Sequence, residues 1–293
     1  MAHAQAAHGG DKYYIPHGSH WPIVGSVSLF TTMIGASSWL NGLAAGPWIF
    51  CFGLSLVAFM FFGWFGTVIG ENQQGLYNAG VDRSFRMGMM WFIFSEVMFF
   101  AAFFGALYYT HELSVPWLGG EGSKSLTNLL LWPGFEGGWP SDGPGHVGGE
   151  FHPMHGIGIP SINTALLLTS GVTITIAHHA LRAGHRGTLK LFLALTFLLG
   201  FVFVGFQAYE YHHAYEVMNL RLDTGVYGST FFMLTGFHGL HVTIGAIMLT
   251  VIWLRVLKGH FTPEHHFAFE GVAWYWHFVD VVWLGLYIFV YWM

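Results

Sequence analysis

Seven long apolar stretches run through this 293-residue chain, and they fix its solvent before any motif is read. They cover residues 22–44, 47–69, 84–110, 159–183, 188–209, 227–255 and 266–292. A helix of about 20 apolar residues crosses the hydrocarbon core, where every backbone polar group must be paired within the segment. The expected fold is all-α: a polytopic membrane protein built as a bundle of seven transmembrane helices. One membrane domain, residues 1–293, is expected, with a long outer loop at 111–158. Composition agrees, since 54% of residues are hydrophobic and only 9% charged, against about 25% charged in soluble domains. Ten Lys+Arg against 15 Asp+Glu leave a net charge of −5, too little positive charge for a nucleic-acid surface. The single cysteine, Cys51, excludes a disulfide framework and thiolate metal clusters. Within its apolar run it reads as a small core residue. The polar first twenty residues contain no signal-peptide core, so the first span is expected to be the targeting signal.

The basic residues set the expected orientation. With seven spans, Lys12, Arg83, Arg86, Arg182, Arg186, Lys190, Arg255 and Lys258 share the side of the N-terminus; Lys124 and Arg221 lie opposite. That asymmetry predicts a cytoplasmic N-terminus and an outward C-terminus. Trp21, Trp48, Trp132, Trp139, Trp274 and Trp292 fall near span ends, as an interfacial aromatic belt requires. The Gly- and Pro-rich outer loop reads as an extended, adaptable segment, slack rather than a docking site.

Polar residues inside spans are expensive in lipid and mark candidate function. Glu96 lies near the centre of the third span, within WFIFSEVMFFAAFFGA. It suits a proton relay or gate, and equally a hydrogen-bonded acid that pins a neighbouring helix. On the last span, Glu270, His277 and Asp280 share one face and read as an intramembrane polar seam. His238 and His241, at i,i+3 spacing among glycines of the sixth span, join that seam or offer ligands to haem or a metal. His178, His179, His212 and His213 form further pairs, of the kind that 19 histidines produce by chance. Glu210, at the end of the fifth span, is expected to snorkel to the outer interface.

Four stretches are more specific: FRMGMMWFIFSEVMFF (85–100), INTALLLTSGVTITIAHHAL (162–181), VYGSTFFMLTGFHGLHVTIG (226–245) and HHFAFEGVAWYWHFVDVVWLGLY (265–287). In this order they resemble subunit III of the haem–copper oxidases, in the seven-helix form found in aa3-type cytochrome c oxidases. The resemblance runs almost end to end. It implies two helix groups, 1–2 and 3–7, separated by a lipid-holding cleft. It also implies a non-catalytic subunit of a proton-pumping terminal oxidase that passes electrons from cytochrome c to O2. Such a subunit binds structural phospholipid, stabilises subunit I, supports proton uptake and protects the core from turnover-linked inactivation. No haem, copper or other metal is expected on this chain, the haems and copper residing in partner subunits I and II. Cytochrome c would be met through subunit II. Glu96 matches the family's buried helix-three glutamate. Arg86 and Arg255 match arginines near the lipid cleft, with Trp64, Glu71 and Lys258 as further lipid-binding candidates. The chain departs from the family in WFGTVIGE, where Thr67 and Gly70 replace an Asp and an Arg, in NQQGLYN after it, and in its longer outer loop. The implied location is a bacterial inner (plasma) membrane, multi-pass, with the C-terminus periplasmic. Cytoplasmic acids and histidines, including His3, His8, His17 and His20, would hold protons near the uptake entrance.

Two other classes fit the composition. One is a proton-coupled transporter acting through Glu96, against which the lack of an internal repeat counts. The other is a membrane cytochrome with haem on His238, His241 or His277.

Overall fold

The computed structural model describes residues 13–15 and 18–292, apart from the Lys124 side chain. Lys12, His3, His8 and His17 lie outside the described residues. The chain is helical, with no strand among the described residues. The helices are α1 (Trp21–Leu40), α2 (Gly46–Gln73), α3 (Ala79–Tyr108), α4 (Val115–Leu118), α5 (Ser125–Leu131), α6 (Ile159–Arg182), α7 (Arg186–Glu216), α8 (Gly225–Leu257) and α9 (Phe267–Tyr291). Seven segments are long and apolar enough to cross a membrane, one at each predicted span. The protein is a multi-pass membrane protein. Pro22, Pro47 and Pro160 sit in the first turn of α1, α2 and α6, where no helical N–H is lost.

The chain divides into two compact units, Met1–Met87 and Gly88–Met293. In the first, α1 and α2 form a hairpin whose seam is made of small residues. A Cβ on Gly35 would overlap the backbone of Phe50, and one on Gly53 would reach within 2.5 Å of the Thr32 nitrogen. With no hydrophobic force between helices in lipid, close backbone approach supplies the packing energy. Ser28 and Thr32 on this seam return their hydroxyls to the carbonyls of Val24 and Ser28, at 2.6 and 2.8 Å. Cys51 is exposed, contrary to the core position expected of it. The buried positions of α2 are Gly46, Gly53 and Met60, a narrow stripe that leaves Cys51 outside. An apolar side chain in lipid has no reason to turn inward.

The second unit is organised around α9. Trp276 is fully buried. Its ring fills the space that a Cβ would need at Gly200 of α7 and Gly245 of α8, and its Nε1–H donates to Ser170 Oγ of α6 at 2.9 Å. One side chain thus ties α9 to three other helices. Trp283 repeats the arrangement, donating to Thr164 Oγ1 at 2.9 Å with Phe203 edge-on at 4.7 Å.

Helix α7 runs on to Glu216, past the predicted span end at 209, and Glu210 finds a polar partner inside the bundle. One expectation is corrected here. The outer loop is ordered rather than slack. It holds a π-helical turn at Tyr109–Ser114, then α4 and α5. Asn128 Nδ2 lies 2.9–3.0 Å from the carbonyls of Leu118, Trp132 and Phe135 and shares its two hydrogens among them. The loop is then stitched to the α7–α8 connection. Tyr227 N–H donates to Ser141 O at 3.1 Å, His152 N–H to Met218 O at 3.0 Å, and Asn219 Nδ2 to Gly148 O and Glu150 O. Gly225 opens α8 at φ +66°, and a Cβ there would collide with the Asp142 backbone. Only glycine meets both demands.

Candidate functional site

In the second unit, α3, α6, α8 and α9 carry the intramembrane polar residues. Glu96 of α3 and His241 of α8 meet, Oε2 to Nε2, at 2.9 Å. The other ring nitrogen, Nδ1, is 2.6 Å from the Phe237 carbonyl one turn earlier. A carbonyl only accepts, so Nδ1 carries a hydrogen. One proton then remains for the Nε2–Oε2 contact, either on a neutral glutamic acid or on an imidazolium facing a carboxylate. Both arrangements leave the pair with no net charge, which is the condition for keeping an acid within a span. Phe100 packs edge-on against the imidazole at 5.0 Å, and Tyr275 OH donates to the His241 carbonyl at 3.3 Å.

The other residues of the expected seam make separate local contacts. His238 donates from Nε2 to the Val279 carbonyl at 3.1 Å, a buried link from α8 to α9. His277 is about half exposed and reaches Thr175 Oγ1 of α6 at 3.4 Å, with Asp280 Oδ2 3.7 Å from its Nδ1. Asp280 is buried, and its Oδ2 occupies the space a Cβ would need at Gly171. Glu270 turns instead toward His178 and His266, with Oε1 3.1 Å from His266 Nε2. His238 spends its Nε2 hydrogen on Val279 O and His241 its Nδ1 hydrogen on Phe237 O, while His238 Nδ1 is buried with no hydrogen-bond partner among the described residues.

Glu210 was expected to snorkel and does not. It is 1% exposed, and its Oε1 accepts from Tyr291 OH at 2.6 Å and Gln207 Nε2 at 3.3 Å. Its distance along the chain from Tyr291 hid this partner. His266 was also missed, although His266 and Glu270 stand at the i,i+4 spacing that places two ligands on one helix face.

The lipid-binding candidates fall into two sets. In the first unit, Glu71 is clamped by two phenols, Tyr14 at 3.2 Å and Tyr77 at 2.6 Å. Burial, together with that carboxylate, pushes the Tyr77 phenol above its ordinary range. Thr67 accepts from Trp21 Nε1 at 3.0 Å, Arg86 pairs with Asp82 at 2.7 Å, and Trp64 is exposed. In the second unit, Lys258 is exposed while Arg255 is buried, its guanidinium 4.5 Å above the Phe261 ring. Arg255 Nε has no protein partner among the described residues.

Seven apolar spans with paired acids and histidines inside one unit define a polytopic helical membrane protein. The family model for cytochrome c oxidase subunit III matches residues 11–123 and 137–293. Curated cytochrome c oxidase subunit 3 proteins are similar over nearly their whole length. That of Coturnix japonica is 40% identical over 289 residues, covering 98% of each chain. That of Oryctolagus cuniculus is 40% identical over 286 residues, covering 97% of this chain and 98% of its own. That of Squalus acanthias is 41% identical over 287 residues, covering 98% of each. The chain belongs to the cytochrome c oxidase subunit III family. It is a subunit of an oxidoreductase complex, and its partners include other subunits of that oxidase. The unmatched segment, 124–136, contains α5, so the extra length of the outer loop has become a helix.

Proposed function

We propose that this chain is a non-catalytic, lipid-binding subunit that braces subunit I and keeps protons available for uptake, with no redox centre of its own. The observation that carries the proton part is the 2.9 Å contact between Glu96 Oε2 and His241 Nε2, with His241 Nδ1 2.6 Å from the Phe237 carbonyl. Such a pair can hold or pass a proton without placing net charge in lipid. The lipid part rests on Arg255, a buried guanidinium with an unpaired Nε, beside the exposed Lys258. Lipid phosphate is the anion that a cation at this depth suits. Partners under this reading are subunits I and II, with I the main contact, and cytochrome c through II. Orientation with the N-terminus on the cytoplasmic side rests on the distribution of basic residues.

The test is the working lifetime of the oxidase during turnover, with and without this chain. Faster inactivation without it is expected, and equal lifetimes overturn the protective role. Arg255→Ala is expected to lower the phospholipid that copurifies; unchanged lipid refutes the headgroup contact. Glu96 is expected to be the carbodiimide-reactive carboxyl, with labelling lost in Glu96→Gln.

A further inference from the structure

A second polar cluster lies outside the Glu96–His241 pair. At the C-terminal end of α6, His178 Nε2 stands 3.3 Å from His266 Nε2, at the N-cap of α9. Glu270 Oε1, in the first turn of α9, stands 3.1 Å from His266 Nε2 and 3.6 Å from His178 Nε2. Three ligand-type atoms from two helices therefore converge on one point.

The hydrogen-bond arithmetic of the cluster asks for a cation. His266 Nδ1 lies 3.2 Å from the Thr262 carbonyl, so that nitrogen is the donor. The neutral ring then presents a bare lone pair at Nε2, facing a carboxylate oxygen that is also an acceptor. His178 has a single Nε2–H to offer between the two. An extra proton or a metal ion at His266 Nε2 would remove this opposition of lone pairs.

The distances suit a metal. Ligand bonds of about 2.0–2.1 Å in tetrahedral geometry put neighbouring ligand atoms about 3.3 Å apart, and the three separations here are 3.1, 3.3 and 3.6 Å. Two imidazoles and one carboxylate are a zinc-type donor set, whereas calcium and magnesium demand mostly oxygen. The Thr262 carbonyl supplies the outer hydrogen bond that fixes the tautomer and tilt of a metal-binding histidine. His266 is buried, and Glu270 and His178 are partly accessible, which leaves a way in. We propose that His178, His266 and Glu270 form a binding site for a divalent transition-metal ion of the zinc class, joining the end of α6 to the start of α9. This departs from the expectation that the chain holds no metal.

The test uses the intact oxidase complex containing this chain, stripped with a chelator and dialysed against dilute zinc. Zinc per complex is counted by mass spectrometry for the wild type, His266→Gln and Glu270→Gln. The expected result is about one equivalent fewer in each variant, or an affinity at least about tenfold weaker at that site. Equal zinc content and affinity in all three overturns the proposal and leaves a shared proton as the cation. If the variants do not assemble, wild-type crystals grown with zinc decide the matter. An anomalous peak within about 2.0–2.2 Å of the three ligand atoms is expected, and no peak there refutes the site.

Discussion

Glu96 and His241 stand 145 positions apart in the chain and meet at 2.9 Å, with the second ring nitrogen of His241 already donated to Phe237. The contact is thus a link from α3 to α8 in which a single hydrogen lies between Nε2 and Oε2.

Glu96→Gln keeps a donor for His241 Nε2, whereas Glu96→Leu leaves that nitrogen unpaired. Leaving a part-buried polar group unpaired costs about 1–3 kcal/mol. Thermal unfolding of the chain within its complex should therefore show Glu96→Leu well below the wild type and Glu96→Gln near it. Equal losses in the two variants would show that the link is not a hydrogen bond.

Trp276 occupies the room left by Gly200 and Gly245. Trp276→Ala should destabilise the second unit by about 3–5 kcal/mol through lost packing and an open cavity. Gly200→Ala puts a methyl against the same ring and should also destabilise it, by about 1–3 kcal/mol of overpacking. Both effects would appear as a lower recovery of this chain with the purified oxidase. Full recovery of Trp276→Ala would refute the central role of the ring.

Asp280 and Gly171 form a coupled pair, since Asp280 Oδ2 would lie 2.5 Å from a Cβ at Gly171. Gly171→Ala alone should therefore displace the carboxylate and destabilise α6 against α9. In the Asp280→Ala background the same change should do much less harm. Neighbouring sites of this kind show interaction energies of about 0.5–3 kcal/mol in double-mutant cycles. An additive cycle would count against the contact.

His260, outside the spans, has its pKa lowered, first by burial and then by the cations Arg255 and Lys258. The folded protein therefore prefers the neutral ring. The stability this contributes is complete above the unfolded value of 6.5 and is lost as pH falls through the lower folded value. His260→Gln should flatten the decline in unfolding temperature on the acid side of 6.5 while leaving neutral pH little changed. An unaltered acid limb would assign that decline to other groups.

The seven spans were legible because lipid leaves the backbone so few options. About 20 apolar residues in a row must be a helix, whatever surrounds them. Glu96 was legible for a related reason, since an acid within such a run stands out from its neighbours. Its partner was not, because His241 lies on a distant helix and any of several histidines at that depth could have met it. Cys51 and Glu210 were misread for opposite reasons. Apolarity does not imply burial when the solvent is itself apolar, and a polar residue at a helix end need not turn outward when a phenol lies behind it. The outer loop looked slack because hydrogen bonds to a remote connection leave no periodic trace.

The sequence by itself therefore determined the spans, the solvent they face and the family to which the chain belongs. All of these follow from local composition or from motifs read in order. The tertiary structure alone decided which polar groups meet: Glu96 with His241, Glu210 with Tyr291, and His178 with His266 and Glu270. Hydrogen bonding acts over about 3 Å, and only the packing of the helices brings residues distant in the chain within that reach.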